Sequence, residues 1–214
     1  KKYLRSKQST EFFRYLDSKN ISYKKLILED KNYDNESKDN FNLIISIGGD
    51  GTALKAMKLG WSNSAPVLNL GTGRVGYLVK SFENINLQKV IKGDMNNFKT
   101  RVPIIQNNQE GEPAFNEIVV IKNSPTRMLD IKIETYDQEV TLRADGVIIS
   151  TSMGSTAYNY SAGGPIVHAS IDSLIITPIS PFTKFPRSIV LDKNSEIKIT
   201  VLKNQDFSVQ FDGI

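Results

Sequence analysis

Apolar and polar positions alternate in two different rhythms along this chain. In the first hundred residues the rhythm keeps switching. Leu4, Phe12, Phe13 and Leu16 share one face of a helix over residues 3–18. "YKKLIL" (23–28) predicts a strand, and "EDKNYDNESKDN" (29–40) has no apolar periodicity and predicts a polar loop. "NLIISI" (42–47) predicts a buried strand running into a helix from about Thr52. "APVLNLG" (65–71) predicts another short strand, ended by the turn "GTGRVG", and a further helix spans 83–93 and stops at Gly93. Strands alternating with helices predict a parallel sheet in an α/β layer.

Near Thr100 the helical rhythm disappears. "RVPIIQ", "FNEIVVIK", "MLDIKIETY", "EVTLRADGVIIST", "SLIITPI", "SIVLD", "EIKITVLK" and "FSVQF" are all strand-like, with turn residues between them. "MGSTAYNYSAGG" has room for one short helix. The expected organisation is an α/β domain over residues 1–98 and a β-rich domain over 99–214. No internal repeat interrupts it.

Composition narrows the chemistry more than it identifies it. With 214 residues, 39% of them hydrophobic, the chain can bury a sizeable core. It starts at Lys1 without a Met and stops at "QFDGI", so a piece of a longer protein is expected. No apolar run approaches the ~18 residues of a membrane span, and no signal peptide is present, so a cytoplasmic protein is expected. Without cysteine there are no thiolate metal sites and no cysteine nucleophile. A Ser-His-Asp triad would have to use His168, and no G-x-S-x-G elbow supports it. Acid–base chemistry therefore falls to carboxylates. The net charge of +4 is scattered, with no basic block carrying interleaved aromatics as nucleic-acid binding would require.

Three glycine-centred stretches carry the candidate chemistry. In "GGDGT" (48–52), glycines at a strand–helix junction let backbone N–H groups approach an anion, yet Asp50 is itself an acid. Asp50 and Thr52 also suit a simple helix cap. Neither the Walker A string nor a Rossmann fingerprint occurs at this turn; "GTGRVG" (71–76) matches the latter string but opens onto "YLVKSF". In "RADGVIISTSMGSTAYNYSAGGPIV" (143–167), hydroxyls and small residues suit either a polar connection or a surface for a flat polar ligand, with Tyr158 to stack on it. Asp145 enters a strand there, and "FNEIVV" (115–120) adds an Asn–Glu pair at the start of another.

In this order, "GGDGT", a distant "NE", "DGVIISTSMGSTAYNYSAGGP" and "TPISP" closely resemble the NAD kinase family, over nearly the whole chain. "GGDGT" alone is shared with lipid kinases and, more loosely, phosphofructokinases. The long second motif and the distant Asn–Glu pair are specific to NAD kinases. The resemblance implies a cytoplasmic kinase that moves the terminal phosphate of ATP, or of inorganic polyphosphate, to the 2′-hydroxyl of the NAD adenosine ribose, with Mg²⁺ on the donor. It implies that Asp50 contacts that ribose and takes the hydroxyl proton, and that Gly48, Gly49, Gly51 and Thr52 surround the phosphates. Arg74 or Lys55 would help neutralise their charge. Asn116 and Glu117 would hold adenosine; Thr156, Ala157, Tyr158 and Ser161 would make the adenine- and nicotinamide-side contacts. Asp145, with Arg143 in the same run, would lie near the nicotinamide ribose, and Ser180 would reach a neighbouring subunit's ligand. The ligand is expected between the two domains, in a homotetramer or homodimer.

The chain departs from the family where Thr151-Ser152 replaces Thr-Pro and where Ile214 follows the last Asp-Gly in place of Gln. The rival readings are a lipid or sugar kinase with the same loop, and a non-catalytic dinucleotide-binding module in which Asp50 only caps a helix.

Overall fold

The computed structural model describes residues 7–27, 40–71, 77–81, 85–94, 103–104, 113–136, 138–168, 170–182 and 187–213. The chain divides into two compact units, Lys1–Thr100 and Arg101–Ile214.

The first unit is α/β. Helix α1 (Lys7–Ser18) buries Phe12 and Leu16, one turn apart on the same face. It ends where Asn20 takes a left-handed φ of 52° and the Ile21 N–H donates to the Leu16 carbonyl. The strand expected over 23–28 is not formed in its described part, 23–27. Two adjacent lysines break the alternation, and Tyr23 folds back instead, donating to Asp17 at 3.0 Å with its ring against Phe13. Strands β1 (Ile44–Ile47), β2 (Val67–Gly71) and β3 (Lys80–Ser81) form a parallel sheet in the order β1-β2-β3. Helix α2 (Asp50–Ser62) crosses between β1 and β2, burying Ala53, Ala56, Met57 and Leu59. Helix α3 (Leu87–Ile91) starts later than the expected 83, because the Asn86 side chain accepts the Lys89 N–H and caps it there. Gly93, at φ 83°, follows its end.

The second unit is a β structure of two antiparallel sheets. Strands β4 (Glu117–Lys122), β7 (Gly146–Thr151), β8 (Ser173–Ile179), β9 (Ile189–Asp192) and β11 (Phe207–Phe211) form the larger, in the order β11-β4-β7-β8-β9. Strands β5 (Leu129–Glu134), β6 (Glu139–Ala144) and β10 (Lys198–Val201) form the smaller, in the order β10-β5-β6. Their facing residues make one core: Leu129, Ile131, Ile133 and Leu142 from one sheet meet Val120, Val147, Ile149 and Ile176 from the other. Every second residue points inward, as the alternation predicts.

"EVTLRADGVIIST" reads as one strand-like run but divides at Asp145 into β6 and β7, which belong to different sheets. The reason is local. A Cβ at Gly146 would collide with the Val120 carbonyl, so glycine is required where the chain turns onto β4. Strand β7 is buried along its whole length, so a second layer covers its other face. That layer includes a 3-10 turn (Gly154–Thr156) and the short helix α4 (Tyr158–Ser161). Buried Asn159 anchors it, donating to the Ser155 and Pro165 carbonyls and accepting the Thr177 hydroxyl of β8 at 2.7 Å. Among the described residues no helix is long and apolar enough to cross a membrane.

Candidate functional site

In the first unit, β1 delivers the chain into Gly48-Gly49 and α2 leaves it at Asp50. Gly48 is fixed by packing: its N–H donates to the Leu70 carbonyl at 2.9 Å, and a Cβ there would lie 2.5 Å from the Thr52 hydroxyl oxygen. Gly49 and Gly51 are different. Neither has a positive φ, and a Cβ at either would meet nothing within 4 Å among the described residues. Neither backbone conformation nor packing among the described residues demands glycine there, whereas close approach of a ligand to the backbone would.

Asp50 does not cap the helix. The N-cap is Gly49, whose carbonyl accepts the Thr52 and Ala53 N–H groups, with no side-chain cap. The two oxygens of Asp50 instead accept the N–H groups of Tyr77 and Leu78, each at 3.1 Å. The acid is thus held at a helix N-terminus by a segment 27 residues later. The sequence offered no signal for that partner. Arg74 lies outside the described residues.

In the second unit, Asn116 and Glu117 sit where β4 begins, opposite the end of β7, with Glu117 paired to Ser150. The Asn116 carbonyl accepts the Thr151 N–H at 2.9 Å and the Ser150 hydroxyl at 3.2 Å, while the Thr151 hydroxyl donates to the Phe115 carbonyl at 2.7 Å. The backbone of Gly154 packs directly on Asn116. The Thr-Ser departure keeps the loop fixed by other means: the Ser152 N–H, which a proline would lack, donates to the Ser173 carbonyl at 3.2 Å, and buried Ser155 donates to the Ser152 carbonyl at 2.7 Å. Thr156 and Ala157 are half-buried, and Tyr158 and Ser161 are exposed beside them. This end of the sheet therefore gathers Asn116, Glu117, Thr156, Ala157, Tyr158 and Ser161.

Glu117 is 4% exposed, and its Oε2 has no hydrogen-bond partner among the described residues. Burial, and then the negative charge of Asp212, push its carboxyl up to about 7, against a smaller opposing pull from the Tyr158 backbone N–H. Because the folded pKa is the higher one, ionising Glu117 costs the fold progressively as pH rises from the ordinary carboxylate range through about 7. Asp212, in the turn after β11, is a functional candidate that the sequence reading passed over; the "FDG" that ends the strand was its only signal.

Arg143, Asp145 and Ser180 gather elsewhere. Asp145 joins β6 to β7, donates its N–H to the Ile179 carbonyl and pairs with Lys122 at 2.6 Å. Ser180 follows β8 at a φ of 47°, and the Arg143 carbonyl accepts the Phe182 N–H. Four residues along β4 separate the Glu117–Ser150 and Ile121–Gly146 pairs, about 13 Å at 3.3 Å per residue. The two groups thus occupy opposite ends of the same strands. His168 sits in an exposed loop, where its Nδ1 accepts the Ser170 N–H at 3.1 Å.

Both halves match family models: the ATP-NAD kinase N-terminal domain over residues 4–97 and the ATP-NAD kinase C-terminal domain over 115–214. The NAD kinase of Methanothermobacter thermautotrophicus is 39% identical over 166 residues, 76% of this chain and 59% of that protein. The NAD kinase of Caldanaerobacter subterraneus subsp. tengcongensis is 35% identical over 84% of this chain and 67% of its own length. The chain therefore spans under two thirds of the first relative and about two thirds of the second. An NAD kinase from Archaeoglobus fulgidus, solved in complex with ATP, superposes with a TM-score of 0.74 at 28% identity, covering 99% of this chain and 82% of that one. An α/β unit with a Gly-Asp loop, a β unit opening on an Asn–Glu pair, and relatives that match both in sequence and in fold lead to one assignment: the chain belongs to the NAD kinase family.

Proposed function

We propose that this chain transfers the terminal phosphate of ATP, or of inorganic polyphosphate, to the 2′-hydroxyl of the NAD adenosine ribose, giving NADP. The observation that carries the reading is the Asp50 carboxylate, free of capping duty and held by two backbone N–H groups beside two open glycines. Phosphorylating an alcohol requires a held donor phosphate, neutralised charge and a base for the proton. Gly48, Gly49, Gly51 and Thr52 hold the phosphates. Lys55, with Arg74, adds positive charge. Asp50 contacts the ribose and accepts the proton.

Mg²⁺ binds mainly donor phosphates and water, and the oxygens of Asp50 and Thr52 are hard donors that suit it as neighbours. Bound there, it would offset the charge of the transferring phosphate. Among the described residues no group of three histidine or acidic side chains gathers to hold a metal by itself.

Asn116 and Glu117 read adenosine, Tyr158 stacks on the adenine, and Thr156, Ala157 and Ser161 complete the contacts. Asp145, with Arg143 in the same run, lies near the nicotinamide ribose, and Ser180, at the same end of the strands, reaches the ligand of a neighbouring copy. This division favours a homotetramer over a monomer, and light scattering at micromolar concentration is expected to show it; only monomer would refute it. A chain without cysteine suits the reducing cytoplasm, where the proposed reaction would run.

Incubation with ATP, Mg²⁺ and NAD is expected to yield NADP. Transfer to a lipid or sugar in an acceptor panel would favour the rival kinase, and NAD binding without turnover the non-catalytic module. Replacing ATP with polyphosphate, and NAD with NADH, defines the donor and the acceptor. The proposed stacking has its own test. Tyr158→Ala should cost roughly 1–3 kcal/mol of NAD binding and Tyr158→Phe much less. Equal losses in calorimetric titrations would assign the contact to the hydroxyl.

A further inference from the structure

Asp212 has no part in the proposed chemistry, yet it is bound unusually hard to the residues that read adenosine. It takes a φ of 53°, and Gly213 follows at 82°, so the chain turns sharply as β11 ends. From this turn its carboxylate accepts three successive backbone N–H groups: Phe115 at 3.0 Å, Asn116 at 2.7 Å and Glu117 at 3.3 Å. Its own N–H donates to the Glu117 carbonyl at 3.0 Å. Strand pairing already joins β11 to β4 through Phe211 and Ile118, so these bonds extend the contact beyond the ladder. They fix the peptides from which the Asn116 and Glu117 side chains project, and they leave the buried Oε2 of Glu117 without a partner among the described residues.

We propose that Asp212 is a positioning residue for adenosine recognition: it holds the Phe115–Glu117 peptides so that the unpartnered oxygen of Glu117 meets a ligand hydroxyl. The identity of that ligand rests on the NAD kinase reading. Among the described residues three groups face Glu117: the Asp212 carboxylate from the β11 turn, the Tyr158 N–H from α4, and Ser150 opposite on β7. Glu117 accepts a hydroxyl best when ionised, so NAD binding strengthens as pH rises through about 7. Removing the Asp212 charge moves that midpoint toward acid.

The test compares wild type, Asp212→Asn and Glu117→Gln by KM for NAD and kcat across neutral pH. Asparagine keeps the shape but loses the charge and one acceptor oxygen. Asp212→Asn should raise KM roughly tenfold, the scale of one charge-assisted hydrogen bond, with kcat little changed and the midpoint shifted toward acid. Glu117→Gln should abolish the midpoint. An Asp212→Asn enzyme with wild-type KM and midpoint, or with a loss confined to kcat, overturns the proposal. If Asp212→Asn does not fold, hydrogen exchange on the wild-type chain decides. The Phe115, Asn116 and Glu117 amides should be protected before NAD is added, and free exchange there overturns the proposal. A wild-type chain that makes no NADP would sink the kinase reading alone, because the exchange experiment needs no turnover.

Discussion

Asp50→Asn is expected to lower turnover by about 10²–10⁴-fold, the usual contribution of a positioned general base, while NAD affinity changes little. Asparagine has nearly the shape of aspartate and still hydrogen-bonds a ribose, but it cannot take a proton. Removing a negative charge beside the glycines proposed to hold the phosphates should also tighten ATP binding. Helix capping does not enter, because Gly49 is the N-cap. The structural cost arises at Tyr77 and Leu78, whose N–H groups each bond one Asp50 oxygen. Asparagine offers a single acceptor, so one of these bonds is lost, at about 1 kcal/mol. The melting temperature should therefore fall slightly while the rate collapses. Turnover, NAD titration and melting on one preparation separate the two effects. Near-normal turnover would reduce Asp50 to an anchor for the Tyr77–Leu78 segment.

Gly154→Ala should be the most damaging glycine-to-alanine change among the described residues of the second unit. The added Cβ would sit on the Asn116 carbonyl, 2.5 Å from its carbon and 2.6 Å from its Cα. All three clashing atoms are backbone, so no side chain can swing aside. Asn116 cannot yield either, being held by Asp212, Thr151 and Ser150. Overpacking of this kind costs about 1–3 kcal/mol even where neighbours relax. Stability to denaturant should drop by at least that much, and NAD binding should weaken because Asn116 is the displaced residue. Wild-type stability together with wild-type binding would show that the 3-10 turn can slide away from β4.

The sequence carried most of the element order. Alternation of period two marked β5, because burying one face of a strand forces that period into the chain, while the short apolar runs of β4 and β8 marked strands buried on both faces. The Gly-Asp loop was legible because glycines at a strand–helix junction are costly unless something needs backbone there. The run 23–27 was misread because a short apolar run marks a strand only when a strand pairs with it; among the described residues it has no such pairing, and Tyr23 packs on α1 instead. The single run through Asp145 was misread because a change of sheet leaves hydrophobic periodicity almost untouched.

Residue chemistry and spacing alone determined the two-part architecture, the absence of thiol chemistry and the acids that could act. Tertiary structure decided what each acid does. Asp50 became a clamped carboxylate through contact with residues 77 and 78, and Glu117 a high-pKa acid through burial and Asp212. Strand register placed Asp145 at the far end of β4 from Glu117. Each outcome depends on neighbours distant in sequence, and the charge, desolvation and hydrogen bonding of a side chain are set by those neighbours.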